Sequence, residues 1–66
     1  MSQYLVAKAR NTRTRQTVKQ QDLTGIRFAL HQRDLAQLTA DQLAESMTRR
    51  SRDLWQGFVE EYTVTK

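Results

Sequence analysis

The segment 54–64 constrains the fold most, because it has the strongest strand pattern in the chain. It is rich in Trp, Phe, Val, Tyr and Thr, which fit the pleated surface of a sheet. Side chains alternate along a strand, so its apolar residues divide between two faces. One face holds Trp55 and Val59, and the other holds Phe58, Tyr62 and Val64. Gly57 within the segment indicates either a bulge or the close approach of another backbone.

Two further strands are predicted near the N-terminal end. Segment 3–10 is short and rich in Tyr, Leu and Val, and β-branched residues recur in segment 13–20. A turn near residues 11–14 would join the two segments as a hairpin, although the Gly that usually follows Asn in such a turn is absent. With a loop of two or four residues, even positions of the first strand share a face with odd positions of the second. A three-residue loop would change this assignment.

This alternation separates an apolar face from a basic one. The apolar face takes Leu5, Ala7, Ala9 and Val18. The basic face takes Tyr4, Val6, Lys8, Arg10, Arg13, Arg15 and Lys19. We expect the apolar face, together with Trp55 and Val59, to form the core.

A helix is predicted between the hairpin and the last strand. Five apolar residues fall within roughly 100° of arc at helical spacing. They are Ala36, Ala40, Leu43, Ala44 and Met47. The helix would begin either near residue 32 or at residue 39, where segment 39–42 fits a capping box. The longer helix is favoured because nothing between residues 32 and 38 breaks a helix, and a turn at residues 22–25 precedes it.

These elements predict an α+β fold in a single small domain, residues 1–66. The order is β-β-α-β, with a three-stranded antiparallel sheet and one helix packed on one face. A chain of 66 residues buries only a small core. Pairing with a second copy would stabilise it.

Composition argues against several classes of protein. The chain has no cysteine, which excludes disulfides and thiolate metal sites. No apolar run approaches membrane-spanning length, and the first residues lack a signal-peptide pattern, so we expect a cytoplasmic protein without a membrane partner. His31 is the only histidine, and no base is paired with a nucleophile. We therefore expect no metal, no cofactor and no enzymatic activity.

Charge is distributed unequally between the two halves of the chain. Residues 1–33 carry seven Lys and Arg against one acid, a net +6, whereas residues 34–66 carry four against six, a net −2. Like charges that face each other across a ribbon are destabilising, so a row of cations without nearby acids indicates an anionic partner. The predicted contact residues are Lys8, Arg10, Arg13, Arg15 and Lys19.

Three aromatic residues, Tyr4, Phe58 and Tyr62, are predicted on the same face as these cations. Sheet faces that combine aromatic and basic side chains bind single-stranded nucleic acids, in which bases stack on the rings. The same rings could instead be buried in a homodimer, because exposed apolar patches also mark protein interfaces. A ribbon-helix-helix dimer is a further alternative, which the strand at the C-terminal end disfavours.

Twelve residues of this pattern carry a resemblance. They are Tyr4, Val6, Asn11, Leu43, Ala44, Met47, Thr48, Arg50, Trp55, Gly57, Val59 and Tyr62. With them the chain resembles the small β-β-α-β accessory proteins of phages, prophages and plasmids, some of which are anti-CRISPR proteins. The resemblance implies a non-enzymatic, accessory or regulatory protein of a mobile element that binds DNA or an acidic nucleoprotein complex of the host.

Overall fold

The computed structural model describes residues 2–64. Three strands form one antiparallel sheet: β1 (Ser2–Asn11), β2 (Thr17–Lys19) and β3 (Trp55–Val64). The short helix α1 (Gln20–Thr24), a 3₁₀ turn at Leu30–Gln32 and the long helix α2 (Arg33–Ser51) lie between β2 and β3. The strand order is β2-β1-β3, so β1 is the central strand. The predicted α+β fold, with one long helix on a three-stranded sheet, is confirmed.

The hairpin has the predicted alternation of faces but a different register. Arg10 pairs with Thr17 and Lys8 with Lys19, and the connection is closed by a hydrogen bond from the Asn11 N–H to the Gln16 carbonyl at 2.8 Å. The second strand, β2, has three residues, whereas the predicted segment 13–20 has eight. Even positions of β1 still face the same side as odd positions of β2, as expected for a loop with an even number of residues.

The helix α2 begins at Arg33, so the longer prediction is correct and the capping box at residue 39 does not start a helix. The Thr39 hydroxyl donates to the Leu35 carbonyl at 2.9 Å instead of capping an N-terminus. The helix ends at Ser51, and the next residue, Arg52, has a positive φ of 64° and donates its N–H to the Thr48 carbonyl.

The core lies between α2 and one face of the sheet, and small residues bring the two layers close together. Buried core residues form two neighbouring clusters. The first holds Leu5, Ala7, Phe28, Ala36 and Ala40, with Val59 packed on it, and the second holds Ala9, Leu43, Ala44 and Trp55, with Val18 and Met47 packed on it. The indole N–H of Trp55 donates to the Ser51 hydroxyl at 2.7 Å, so the polar atom of this buried ring is satisfied.

Gly57 marks the point where the backbone of α2 reaches β3. A Cβ atom at this position would lie 2.5 Å from the carbonyl carbon and oxygen of Ala40 and 2.7 Å from the nitrogen of Asp41. Pairing between β1 and β3 continues without interruption from one end of β3 to the other. Of the two predicted reasons for this glycine, the close backbone approach is therefore correct.

The segment between α1 and α2 contains an element that the sequence reasoning missed. Phe28 and Leu5 exchange two backbone hydrogen bonds, of 2.7 and 3.0 Å, which extends the β2 edge of the sheet by one residue. Gly25, with a φ of 71°, ends α1 and turns the chain toward this contact. Within residues 2–64, no helix combines the length and apolar character needed to cross a membrane.

Candidate anion-binding face

The sheet face opposite α2, called the basic face below, holds six of the eight predicted site residues, and all six lie on strands. The register places them side by side, since Tyr4 lies opposite Tyr62 and Lys8 lies between Phe58 and Lys19. The face consists of Tyr4, Val6, Lys8, Arg10, Lys19, Arg27, Phe58, Glu60 and Tyr62. Four cations and one carboxylate give this face a net charge of +3.

Tyr4 and Tyr62 form the aromatic centre of the basic face. Their rings stack with centroids 5.6 Å apart and an interplanar angle of 18°. The ammonium nitrogen of Lys19 lies 5.8 Å from the Tyr62 centroid, although β1 separates their strands. The Lys19 and Tyr62 side chains together span β1, and Val6, on this face of β1, is completely buried although no helix covers it.

Arg27 covers the other ring of this pair. Its guanidinium carbon lies 4.5 Å from the Tyr4 centroid, a distance at which the ring quadrupole attracts a cation. Arg27 reaches this position because Phe28 pairs with Leu5 and turns its own side chain into the core, so the preceding residue points to the opposite face. Sequence reasoning missed Arg27. The alternation of apolar and polar residues in segment 26–28 was the signal that could have indicated a short extended segment.

Lys8 is a structural residue of the basic face. It is only 8% exposed, and its ammonium group donates to a Glu60 carboxylate oxygen at 2.9 Å. Burial alone would lower the pKa of Lys8, but the nearby Tyr62 hydroxyl and the Glu60 carboxylate outweigh it and raise that pKa. The Lys8 ammonium in turn lowers the pKa of Glu60. This pair neutralises one of the five cations in the predicted binding set.

Arg10 and Phe58 extend the basic face toward the hairpin loop. The Arg10 guanidinium lies 5.0 Å from the Phe58 centroid, while the residue itself stays exposed. Among residues 2–64, no carboxylate forms an ion pair with Arg10, Lys19 or Arg27. These three cations rest on aromatic rings and leave their charges available to an anion in solution.

Arg13 and Arg15 do not lie on the ribbon, which corrects the prediction of a five-residue basic row. Both belong to the loop of residues 12–16. Arg13 forms two hydrogen bonds of 2.9 Å with the carboxylate of Asp53, in the turn before β3. Arg15, near the tip of this loop, is exposed and has a positive φ of 64°.

Asn11 holds the hairpin loop in this conformation. Its side-chain oxygen accepts hydrogen bonds from the N–H groups of Arg13 and Thr14, and its amide nitrogen donates to Asp53 at 3.0 Å. Hydrogen bonds from Arg13, and then from Asn11, lower the pKa of Asp53 to about 2. Arg13 has no acid near it in the sequence, as noted above, but it is paired in the fold because Asp53 comes from a distant part of the chain.

Comparison of the chain with protein-family models, curated proteins and solved structures finds no match. The resemblance to accessory proteins of mobile elements therefore stays a prediction. The cations that remain available on the basic face and at the loop tip are Arg10, Arg15, Lys19 and Arg27. Guanidinium groups present several N–H donors in a plane and match the oxygens of phosphate and of carboxylate, so three arginines in this set are suited to an oxyanion of either kind.

Proposed function

We propose that the protein is a non-enzymatic binding module that holds the phosphate backbone of a nucleic acid against its basic face. The observation that carries this proposal is the position of Arg10, Lys19 and Arg27. All three lie on one side of the sheet, each rests on an aromatic ring, and none forms an ion pair with another described residue. Arg15 adds a fourth cation at the adjoining loop tip.

The rings of the basic face support the cations and are not free platforms for bases. Tyr4 and Tyr62 already stack on each other, and Arg10 lies over Phe58. A base could reach these rings only by displacing a cation. Binding through phosphates alone fixes the position of a nucleic acid without reading its sequence. We therefore expect weak sequence preference and strong dependence on salt.

A face-to-face homodimer, the alternative that the aromatic residues suggested, would bring two surfaces of net charge +3 together. Such juxtaposition is destabilising unless an anion lies between the surfaces. An acidic protein or nucleoprotein is a partner with compatible charge. It differs from nucleic acid because carboxylates would compete with phosphate for the same guanidinium groups.

The test compares two double variants that change the net charge equally. In Arg10→Gln/Arg27→Gln, two cations of the basic face are neutralised. In the control, Arg49→Gln/Arg50→Gln, two exposed cations at the end of α2 are neutralised. Binding to fluorescently labelled single- and double-stranded DNA would be measured by anisotropy, and circular dichroism would confirm that both variants fold.

We expect the basic-face variant to bind roughly a hundredfold more weakly, since two charge-assisted hydrogen bonds of about 1.5 kcal/mol each are removed. The control variant should bind nearly as well as the unmodified chain. Equal loss in both variants would mean that only total charge matters and would contradict the proposed site. Binding of a labelled acidic polypeptide, with no binding of either DNA, would replace nucleic acid with an acidic protein as the partner.

A further inference from the structure

The outer edge of β3 is a second surface that the basic face does not use. The sheet order β2-β1-β3 leaves both outer strands with one unpaired side. On the β2 side, the edge is three residues long and is followed by the Phe28 bridge. Within residues 2–64, β3 provides the one long outer edge, ten residues from Trp55 to Val64.

The hydrogen-bond pattern identifies which backbone groups of β3 face outward. Leu5 directs its N–H and carbonyl to Phe28, on the side away from β3. In an antiparallel pair these directions alternate along the strand, so Glu61, opposite Leu5, directs its own groups away from β1. By the same alternation, Gly57, Val59 and Thr63 also present their N–H and carbonyl groups at the outer edge.

Beyond Gly57, the protection of this edge against pairing with another strand consists of two charged residues, Glu60 and Glu61. Side chains of α2 reach only its first part, where Thr48 accepts from the Trp55 N–H and Gln37 donates to the Gly57 carbonyl. The chain has no proline, and the pairing of β3 with β1 has no bulge. Proteins usually block a long regular edge with such features, because an open row of donors and acceptors recruits a further strand.

We propose that this edge pairs with the β3 edge of a second copy of the chain, in antiparallel orientation and centred on Val59. Symmetric pairings near the middle of β3 can be centred on Val59, Glu60 or Glu61. The last two place a glutamate directly opposite its own copy, which is destabilising. Centring on Val59 places Val59 opposite Val59, and Glu61 of one copy opposite Gly57 of the other, so no two like charges of the paired strands are directly opposite. In this register the Gln37 side chain must release the Gly57 carbonyl to the partner strand.

The dimer is a continuous six-stranded sheet with both α2 helices on one side. A two-fold axis perpendicular to the sheet keeps each basic face on the same side, so the two faces join into one surface of twice the width. The chain also gains the burial that a domain of this size lacks alone. This inference does not rest on the proposed function, since it follows from the sheet edge and would hold without any nucleic acid.

The test combines the mass of the assembly with hydrogen exchange at single amides. Sedimentation equilibrium on the unmodified chain should give twice the monomer mass of 7.8 kDa. In the dimer, NMR-detected exchange of the Val59 and Glu61 amides should be slow, and it should quicken on dilution. Dimerisation through the basic face would leave these amides as fast to exchange as those of the hairpin loop.

Two variants at one position test whether the backbone N–H of Glu61 is needed for dimerisation. Proline is tolerated in an edge strand where its missing N–H would face solvent, so Glu61→Pro should fold but should be monomeric. Glu61→Ala also removes the side-chain contact with Arg33 but keeps the N–H, and it should remain a dimer. A monomeric unmodified chain at high concentration, or a dimer with rapidly exchanging Val59 and Glu61 amides, would overturn the proposal. If Glu61→Pro fails to fold, the exchange measurement on the unmodified chain decides alone.

Discussion

Replacing Gly57 with alanine tests how closely α2 packs against the sheet. The added methyl group would lie 2.5 Å from two backbone atoms of Ala40 and 2.7 Å from the backbone nitrogen of Asp41. All three are backbone atoms in the middle of a helix, so no flexible side chain can move aside. Either α2 or β3 must shift, and the buried alanines of α2 would lose contact with the sheet.

The size of the effect follows from this geometry. Adding a methylene-sized group to a well-packed core costs about 1–3 kcal/mol. The rigid surroundings of Gly57 place it at the upper end of this range, at about 3 kcal/mol. The total free energy of unfolding of a chain of this length is about 3–10 kcal/mol, so the loss is a large part of it. It corresponds to a decrease in melting temperature of about 12–24 °C.

Gly25→Ala is the control, because Gly25 has a positive φ of 71° and no atom within 4 Å of the position of a Cβ. Alanine there costs about 1 kcal/mol through backbone strain alone. Thermal and urea unfolding, followed by circular dichroism, would compare the two variants. If Gly57→Ala destabilised the protein less than Gly25→Ala, the helix could not lie as close to β3 as described.

Three further outcomes follow from individual contacts. The carboxyl of Asp53 should titrate near pH 2 by NMR, and because its pKa is lower in the folded state, its stabilisation should be complete above a pH of about 4 and lost as the pH falls through about 2. Ser51→Ala should lower the free energy of unfolding by about 1–3 kcal/mol in urea denaturation, because the buried Trp55 N–H loses its acceptor. Lys8→Met should weaken DNA binding in an anisotropy titration less than Arg10→Gln does, because Lys8 is buried and Arg10 is exposed. Equal weakening by those two variants would show that Lys8 contacts the ligand directly.

The alternation of the strands could be predicted from the sequence, because it depends only on short-range geometry. Side chains on a strand point to opposite faces in turn, and any loop with an even number of residues gives the same division between faces. Tyr4, Lys8 and Lys19 therefore lie together with Tyr62, even though the pairing register differs from the predicted one. The sequence therefore predicted which side chains share a face of the sheet. It did not predict which residues of β1 and β2 pair, because that register depends on the conformation of the loop.

The role of Arg13 could not be predicted, because its partner Asp53 lies 40 residues away. No Asp or Glu lies between residues 1 and 21 of the sequence, so the hairpin has no acid near it along the chain. The turn that contains Asp53 lies beside the hairpin loop because α2 packs on the sheet and β3 pairs with β1 along its whole length. Contacts of this kind depend on the complete topology, and short-range patterns do not contain them.

The segment between β2 and α2 was the least predictable part of the fold. The helix α1 has only five residues, and the bridge at Phe28 is a single residue, so neither is long enough to show a period. This omission also hid Arg27 and its contact with Tyr4. Because the bridge at Phe28 was not predicted, Arg27 was absent from the predicted site.

The salt dependence of DNA binding tests the proposed role of the basic face most directly. Contacts from Arg10, Arg15, Lys19 and Arg27 to phosphates should give a plot of log Kobs against log salt concentration with a slope of about −3 to −4 per chain for duplex DNA. Neutralising Arg10 and Arg27 should make that slope shallower by about 2. Affinity that stays constant as salt rises, or the same slope in the variant and the unmodified chain, would contradict binding of phosphates by this face.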